Sequence, residues 1–439
     1  MQFFSSSPQN YFISEPVFSI LSNSIYHKQE PHLNNTHRYS VIRILSAILI
    51  LVVIIGSYLA FTDIKPKPND LEPEEWVMDH SLALYLDQFT ESFEAGLIDE
   101  QIPGGAVVIV KEGRIVFQKG FGVKERGKPE EVDEHTLFRL GSLSKGFTSV
   151  LAGVLAEEGF VSWDQPVSRY LMDFRLNDPE QTGRIQVRHL LSHTSGLPRH
   201  AYTNLVEDGL PLDLIIPRFE LVPLIAREGA QHSYQNAAFS VIEKVLEAQT
   251  NTDFNTLLYE KLLKPLEMSH SSTSYDDIFN SGNKASPHLY VSRARGRVPV
   301  SISGKYYNAV SSGGVNASAS DMGKWLLLLT GHYPDIISEE TLAEIYEPFA
   351  TIRNQRFSRH WDGVNESHYG MGWRVLDNHG QKIVYHGGYV NGFRSEIAFS
   401  PEDGTGICIL INSNSSYPLT VIPDFFNHST TSVVDVVLE

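Results

Sequence analysis

The spacing of apolar residues changes several times along the chain, and each change marks an element. From His80, the run HSLALYLDQFTESFEAGL sets apolar side chains three and four apart, which predicts an amphipathic helix. From Gly104, two β-rich runs in GGAVVIVKEGRIVFQKGFGV flank Lys111-Glu112-Gly113 and predict a hairpin. Next comes TLFRLGSLSKGFTSVLAGVLAEEG from Thr136, a strand-like start followed by a long apolar helix. The section from about 150 to 330 reads mostly as helix and loop, with clear helices in AAFSVIEKVLEAQT and ASDMGKWLLLLTG. Strand signals return after about 365 in YGMGWRVL, QKIVYHGG, FRSEIAFS and TGICILINS, and a last helix is expected near the C-terminus. The β material therefore lies at the two ends of this region. The fold class expected is α/β (α+β): one antiparallel sheet built from both ends, flanked by helices, with a mainly helical subdomain between.

Upstream, the pattern is of another kind. Ile44–Phe61 reads ILSAILILVVIIGSYLAF, 18 residues without a charge. About 20 apolar residues span a bilayer, so residues 41–61 are expected to form a transmembrane signal anchor. A cleaved signal peptide is the rival, but its apolar core is usually about 7–15 residues and ends in small residues. Here Tyr58 stands where a small residue is wanted. Lys28, Arg38 and Arg43 precede the span and Lys65 and Lys67 follow it, which favours a cytoplasmic N-terminus and an extracytoplasmic main domain. Residues 1–40 read as a poorly ordered tail and 62–75, with three prolines, as an exposed linker. The globular domain is expected over 76–439.

Charge and composition narrow the function. The chain carries a formal net charge of −17, which argues against nucleic acid as a partner. The single cysteine, Cys408, lies in an apolar run and reads as a core residue. Nothing in the sequence speaks to oligomeric state.

Three short stretches carry candidate chemistry. In Ser142-Leu143-Ser144-Lys145, Ser142 and Lys145 share a helix face, and an amine there can activate a serine hydroxyl. The alternative is that Ser142 only caps the helix. The same S-x-x-K spacing recurs at Ser281 and Lys284 in a polar loop. Y-x-N occurs at Tyr202, Tyr234, Tyr306 and Tyr389, so the pattern alone is uninformative. Tyr234 has the best setting, in a turn ahead of an amphipathic helix. In VYHGGYVNGFRSEIAF, a β run ends at His386-Gly387-Gly388, where glycines let a substrate approach the backbone. Read blandly, the glycines make a bulge and His386 is a surface residue. G-x-S-x-G, H-E-x-x-H, paired cysteines and a Walker loop are all missing, and His189, His193 and His200 lie in what reads as a helix end and turn. No metal and no cofactor are expected.

Taken together and in this order, these stretches resemble the serine β-lactamase and penicillin-binding-protein superfamily, nearest its class C β-lactamase-related branch of DD-peptidases, D-aminopeptidases and esterases. The likeness runs from about Leu82 to Asn414 and includes IQVRHLLSHTSGLP, LLKPLEMSHSS, SSGGVNASASDMGKWL and YGMGW. It implies that Ser142 is the acylated nucleophile, that Lys145 activates it and that Tyr234 moves protons. Asn236 would bind the substrate amide, and the backbone N–H groups of Ser142 and Tyr389 would form an oxyanion hole. His386-Gly387-Gly388 would occupy the family's K-T-G strand, with His386 and Gly387 departing from its lysine and hydroxyl. Histidine is only partly charged near neutral pH, and Arg394 is a candidate replacement for the lost charge. The expected function is a membrane-anchored serine hydrolase acting on a small-molecule, peptide or ester substrate (D-amino-acid peptidase or carboxypeptidase, or esterase), with weak or no β-lactamase activity. A non-catalytic protein that binds a peptide or cell-wall ligand with this fold is the alternative.

Overall fold

A computed structural model describes residues 78–435, apart from 354–359, 362 and 365. The expected segments 1–40, 41–61 and 62–75 lie outside the described residues. Among the described residues, no helix is long and apolar enough to cross a membrane.

The first helix, α1, spans His80–Asp99. The hairpin follows as β1 (Gly104–Lys111) and β2 (Arg114–Gly122), closed by Glu112 and Gly113 at φ of 48° and 74°. Positive φ at both turn residues matches the right-handed twist of the flanking strands. Two short strands come next, β3 (Phe138–Arg139) and, after the hairpin β4 (His288–Ser292) and β5 (Gly296–Pro299), β6 (Asn316–Ala317). The C-terminal strands are β7 (Ala350–Thr351), β8 (Ser367–Tyr369), β9 (Arg374–Asn378), β10 (Gln381–Val390), β11 (Phe393–Ser400) and β12 (Thr405–Ile411).

The main sheet has eight strands in the order β2-β1-β12-β11-β10-β9-β8-β7. Its two halves meet where β1 pairs antiparallel with β12, Val108 opposite Cys408. Alternation along these strands fills two cores. Ala106, Val108, Val110, Cys408 and Leu410 face the helical section, whereas Val107, Ile109, Ile407 and Ile409 face the other way. On that second face, Phe89 and Phe93 of α1 pack with Phe425 and Phe426 of the C-terminal helix Pro418–Asp435. Burial on both faces explains why TGICILI is continuously apolar.

The helical section packs on the first face. Its central helix, α2 (Ser144–Glu157), is buried along nearly its whole length. Its Phe147 stacks on Trp325 of α4 (Ala319–Leu329), ring centroids 3.9 Å apart. Between them in sequence lies α3 (Val241–Thr250). Two expectations need correction. YGMGWRVL is not one strand: β8 ends at Tyr369, and Gly372, at φ 81°, turns the chain before β9 begins. A Cβ on Gly372 would lie 2.9 Å from the Lys145 carbonyl oxygen, so this turn is packed against the start of α2. TLFRLG supplies only the two-residue β3, paired with β6.

Candidate active site

Ser142 lies in a 3-10 turn, Gly141–Leu143, that runs directly into α2. Residue Leu143 stands at the N-cap and no side chain caps the helix, so the capping alternative for Ser142 gains no support. Ser144 instead ties the turn together. Its hydroxyl donates to the Gly141 carbonyl at 2.7 Å and accepts from the Val315 N–H at 3.0 Å.

Two glycines let this turn meet β10. Gly141 has φ 52°, and a Cβ there would stand 2.8 Å from the Tyr389 nitrogen. A Cβ on Gly388 would collide with the Leu140 carbonyl and Ser395. The backbones therefore touch, with Ser142 beside Tyr389. On β10, pairing with β9 ends at Tyr385, which leaves the edge of 386–390 open. Asn391 and Gly392, both at positive φ, close β10 onto β11 by a two-residue turn, with Val390 opposite Phe393. The alternation of an antiparallel ladder then turns the N–H of Tyr389 away from β11, toward the open edge.

Lys145 is fully buried one helical turn from Ser142. Its Nζ donates to Asn236 Oδ1 and to the Ser312 carbonyl oxygen, each at 2.8 Å. It also lies 4.9 Å from the centre of the Tyr234 ring. Burial penalises the ammonium and lowers the lysine pKa, while Tyr234 works in the opposite direction. A lysine shifted this way releases its proton more readily than one in water. Tyr234 and Asn236 come from the segment just before α3, as YQN read in sequence. Tyr234 lines an open cleft of about 1340 Å³ together with Ser142, Gly387, Gly388 and Tyr389. Lys145 and Asn236 sit behind that wall.

His386 departs from expectation. It is fully buried and does not line the cleft. Its Nδ1 contacts the Gly387 carbonyl oxygen at 2.8 Å and its Nε2 the Tyr369 hydroxyl at 3.0 Å. A carbonyl only accepts, so Nδ1 carries the proton and Nε2 accepts from Tyr369. Burial, with Arg374 and Lys145 nearby, holds its pKa well below 6.5. The ring is therefore neutral, not partly charged. It belongs to a neutral cluster with His193, buried 4.3 Å from the Tyr234 ring centre, and His232, which lines the cleft.

Gly387 has its own reason. A Cβ there would meet the Glu396 carboxyl group, whose Cδ would be 2.9 Å away. Glu396 is fully buried across the ladder from Gly387 and is bonded by Arg394, whose Nη2 lies 2.7 Å from Oε1. Burial raises the Glu396 pKa despite Arg394 and Tyr385. Arg394 does line the cleft, but its charge is engaged by Glu396.

The remaining sequence candidates separate cleanly. Ser281 and Lys284 lie in a loop that closes on itself, Lys284 Nζ donating to the Ser281 carbonyl oxygen at 2.7 Å. Of the three histidines, His200 reaches the cleft, with Arg199, at the start of the partly helical segment 199–218. Among the described residues, no cluster of three metal-ligating side chains occurs. Tyr306 is one of four Y-x-N tyrosines that spacing alone does not distinguish, yet its hydroxyl accepts from Asn236 Nδ2 at 3.0 Å. Only the tertiary structure brings residues 236 and 306 together.

The turn-and-strand arrangement, with a serine at a helix start, a buried lysine one turn on and a tyrosine opposite, has a family. The profile described as Beta-lactamase matches residues 86–425, and the chain belongs to that family. Among its relatives, it is 29% identical over 342 residues to unguisins hydrolase ungD' of Aspergillus campestris (strain IBT 28561), covering 76% of this chain and 62% of that protein. It is 25% identical over 353 residues to protein flp of Staphylococcus aureus (strain MRSA252), covering 79% of this chain and 66% of that one. The chain thus spans just under two thirds of the length of these relatives. In fold it is similar to the octameric penicillin-binding protein homologue from Pyrococcus abyssi, with a TM-score of 0.67, 23% identity and 76% of each chain covered.

Proposed function

We propose that this chain is a serine hydrolase that works through an acyl-enzyme on Ser142. The observation that carries the reading is Lys145, buried with no carboxylate partner among the described residues, its pKa lowered, one helical turn from a serine that lines the cleft. In the neutral form, Lys145 takes the Ser142 proton as Oγ attacks the substrate carbonyl carbon. The N–H groups of Ser142 and Tyr389 receive the developing oxyanion. Tyr234 returns a proton to the leaving group, which departs as the acyl-enzyme forms. Water then attacks the ester carbon and gives its proton to the Tyr234 phenolate, while the Lys145 ammonium returns a proton to Ser142 Oγ as the acid is released. Asn236 holds Lys145 from behind the cleft wall, and the open edge of Gly387–Tyr389 receives the substrate backbone.

The substrate is a peptide or an ester, of D-amino-acid peptidase, carboxypeptidase or esterase type. Weak or absent β-lactamase activity follows from the third motif, where a neutral buried His386 and a bare Gly387 leave no cationic and no hydroxyl group. The relative named as a hydrolase supports catalysis over mere binding. We further propose that residues 41–61 anchor the chain and that the domain from 76 onward lies outside the cytoplasm, on the apolar run and flanking charges described above.

The test is covalent. Full-length protein in detergent is expected to react with a fluorophosphonate probe, and Ser142→Ala is expected to abolish labelling. Intact protein that stays unlabelled sinks the acyl-enzyme. A panel of nitrocefin, short acyl esters and D-Ala-D-Ala peptides then sorts the substrate class, rapid nitrocefin turnover being the result that contradicts the reading of Gly387. A C-terminal reporter active only in the cytoplasm is expected to stay silent.

A further inference from the structure

Lys145 is held by two acceptors, Asn236 Oδ1 and the Ser312 carbonyl oxygen; Tyr306 bonds Asn236 and packs against the turn that follows Ser312. Tyr306 is 9% exposed and has φ 71°, a left-handed conformation that an aromatic residue adopts at a cost. That conformation lays its ring against the turn after Ser312. A Cβ on Gly313 would stand 2.9 Å from Tyr306 Cγ, and one on Gly314 would be 2.8 Å from its carbonyl oxygen.

At the other end of the side chain, the phenol oxygen is 3.0 Å from Asn236 Nδ2 and 2.9 Å from Glu207 Oε1. Glu207 Oε2 accepts from Lys305 Nζ at 2.7 Å. Hydrogen bonds from Lys305 and Tyr306 outweigh the burial of Glu207 and lower its pKa, so it is a carboxylate and can only accept. The phenol proton therefore points to Glu207, and the phenol oxygen accepts from the amide. This decides which way Asn236 faces. Its NH2 is drawn to Tyr306 and its oxygen is left for Lys145. The flipped amide, nearly identical in shape, would turn an NH2 donor toward Lys145 and remove the acceptor of its Nζ–H. The loop that carries Tyr306 is itself fixed to the strand before the nucleophile. Arg139, 1% exposed, donates to the carbonyl oxygens of Ser303 and Lys305 at 2.8 and 2.6 Å.

We propose that Tyr306 is a positioning residue of the Ser142–Lys145 site: its hydroxyl, polarised by Glu207, fixes the Asn236 amide so that Oδ1 meets Lys145. The proposal rests on the reading of Ser142 as a nucleophile activated by Lys145. Simple packing would give Tyr306 a role in stability alone, and the test must separate the two.

The rate of fluorophosphonate labelling of full-length protein is measured for wild type, Tyr306→Phe, Asn236→Ala, the double variant, Glu207→Ala and Glu207→Gln, with Ser142→Ala as control. Tyr306→Phe keeps the ring and is expected to label about tenfold more slowly, the rate equivalent of one hydrogen bond. In the Asn236→Ala background, the same change is expected to cost nothing more, because its target is gone. Glu207→Ala is expected to label several-fold more slowly and Glu207→Gln to recover most of the rate, since an amide oxygen still accepts from the phenol. Effects of Tyr306→Phe and Asn236→Ala that simply multiply, or a Tyr306→Phe rate equal to wild type, overturn the proposal. Should Tyr306→Phe fail to fold, Glu207→Ala decides, and a wild-type rate there overturns it. Labelling that survives in Ser142→Ala has a different consequence, since it removes the nucleophile assignment itself.

Discussion

Gly387 shows how one side chain shapes the cleft. The volume that a residue with a Cβ would need is occupied by Glu396, which is buried and already bonded to Arg394 and Tyr385. Installing a hydroxyl by Gly387→Thr therefore drives atoms into a fixed carboxyl group. Overpacking of this sort costs about 1–3 kcal/mol, and it is expected as a lower urea midpoint with no gain in nitrocefin turnover. A stable Gly387→Thr variant with raised turnover would show that Glu396 moves aside readily. His386 teaches a related lesson. As a residue type it suggests a charge near pH 7, but its surroundings remove that charge.

Between elements, the site depends on a backbone contact. The turn of Gly141–Leu143 and the strand β10 approach so closely that neither Gly141 nor Gly388 has room for a methyl group. Gly141→Ala adds strain at a positive φ and pushes the turn away from Tyr389. Circular dichroism is expected to show a folded chain, while labelling by the fluorophosphonate falls by up to about a hundredfold, the scale set by an ångström-sized misplacement of reacting groups. Unchanged labelling would mean that the Tyr389 backbone is not part of the reacting site. The turn Gly370–Trp373 acts from the other side. It interrupts the strand signal of YGMGWRVL because Gly372 must pass beside Ser149 and the Lys145 backbone.

At the scale of the whole molecule, buried titratable groups set the response to acid. Burial depresses His189 and His232 to about 4 and holds His193 and His386 well below 6.5. Below pH 6.5 the unfolded chain binds protons that these folded imidazoles refuse, so stability falls with pH from about 6.5 toward 4. Glu243 has the opposite sign. It is buried, its Oε1 accepts from the Ser311 N–H at 2.6 Å, and its pKa is raised to about 7. Its contribution is fully present below the unfolded value near 4.5 and is lost as pH rises through 7. Thermal scans are expected to show a melting temperature that climbs from pH 4.5 to 6.5, and to climb more steeply in Glu243→Gln. A flat profile in both proteins would contradict the neutral imidazole cluster.

The sequence by itself determined the order of elements, the split of the β strands between two ends, and the three stretches around Ser142, Tyr234 and His386. Those features are local, since periodicity follows from which face is buried, and serine and lysine three apart on a helix share a side whatever surrounds them. It could not assign Tyr306, the partnership of Gly387 with Glu396 or the neutrality of His386. Each depends on which groups meet in a water-poor interior: Asn236 with Tyr306, seventy residues on, Gly387 with Glu396 across the β10–β11 ladder, and His386 with Tyr369. The tertiary structure decided these because hydrogen-bond direction and desolvation are fixed by neighbours in space, and neither is written in residue type or spacing.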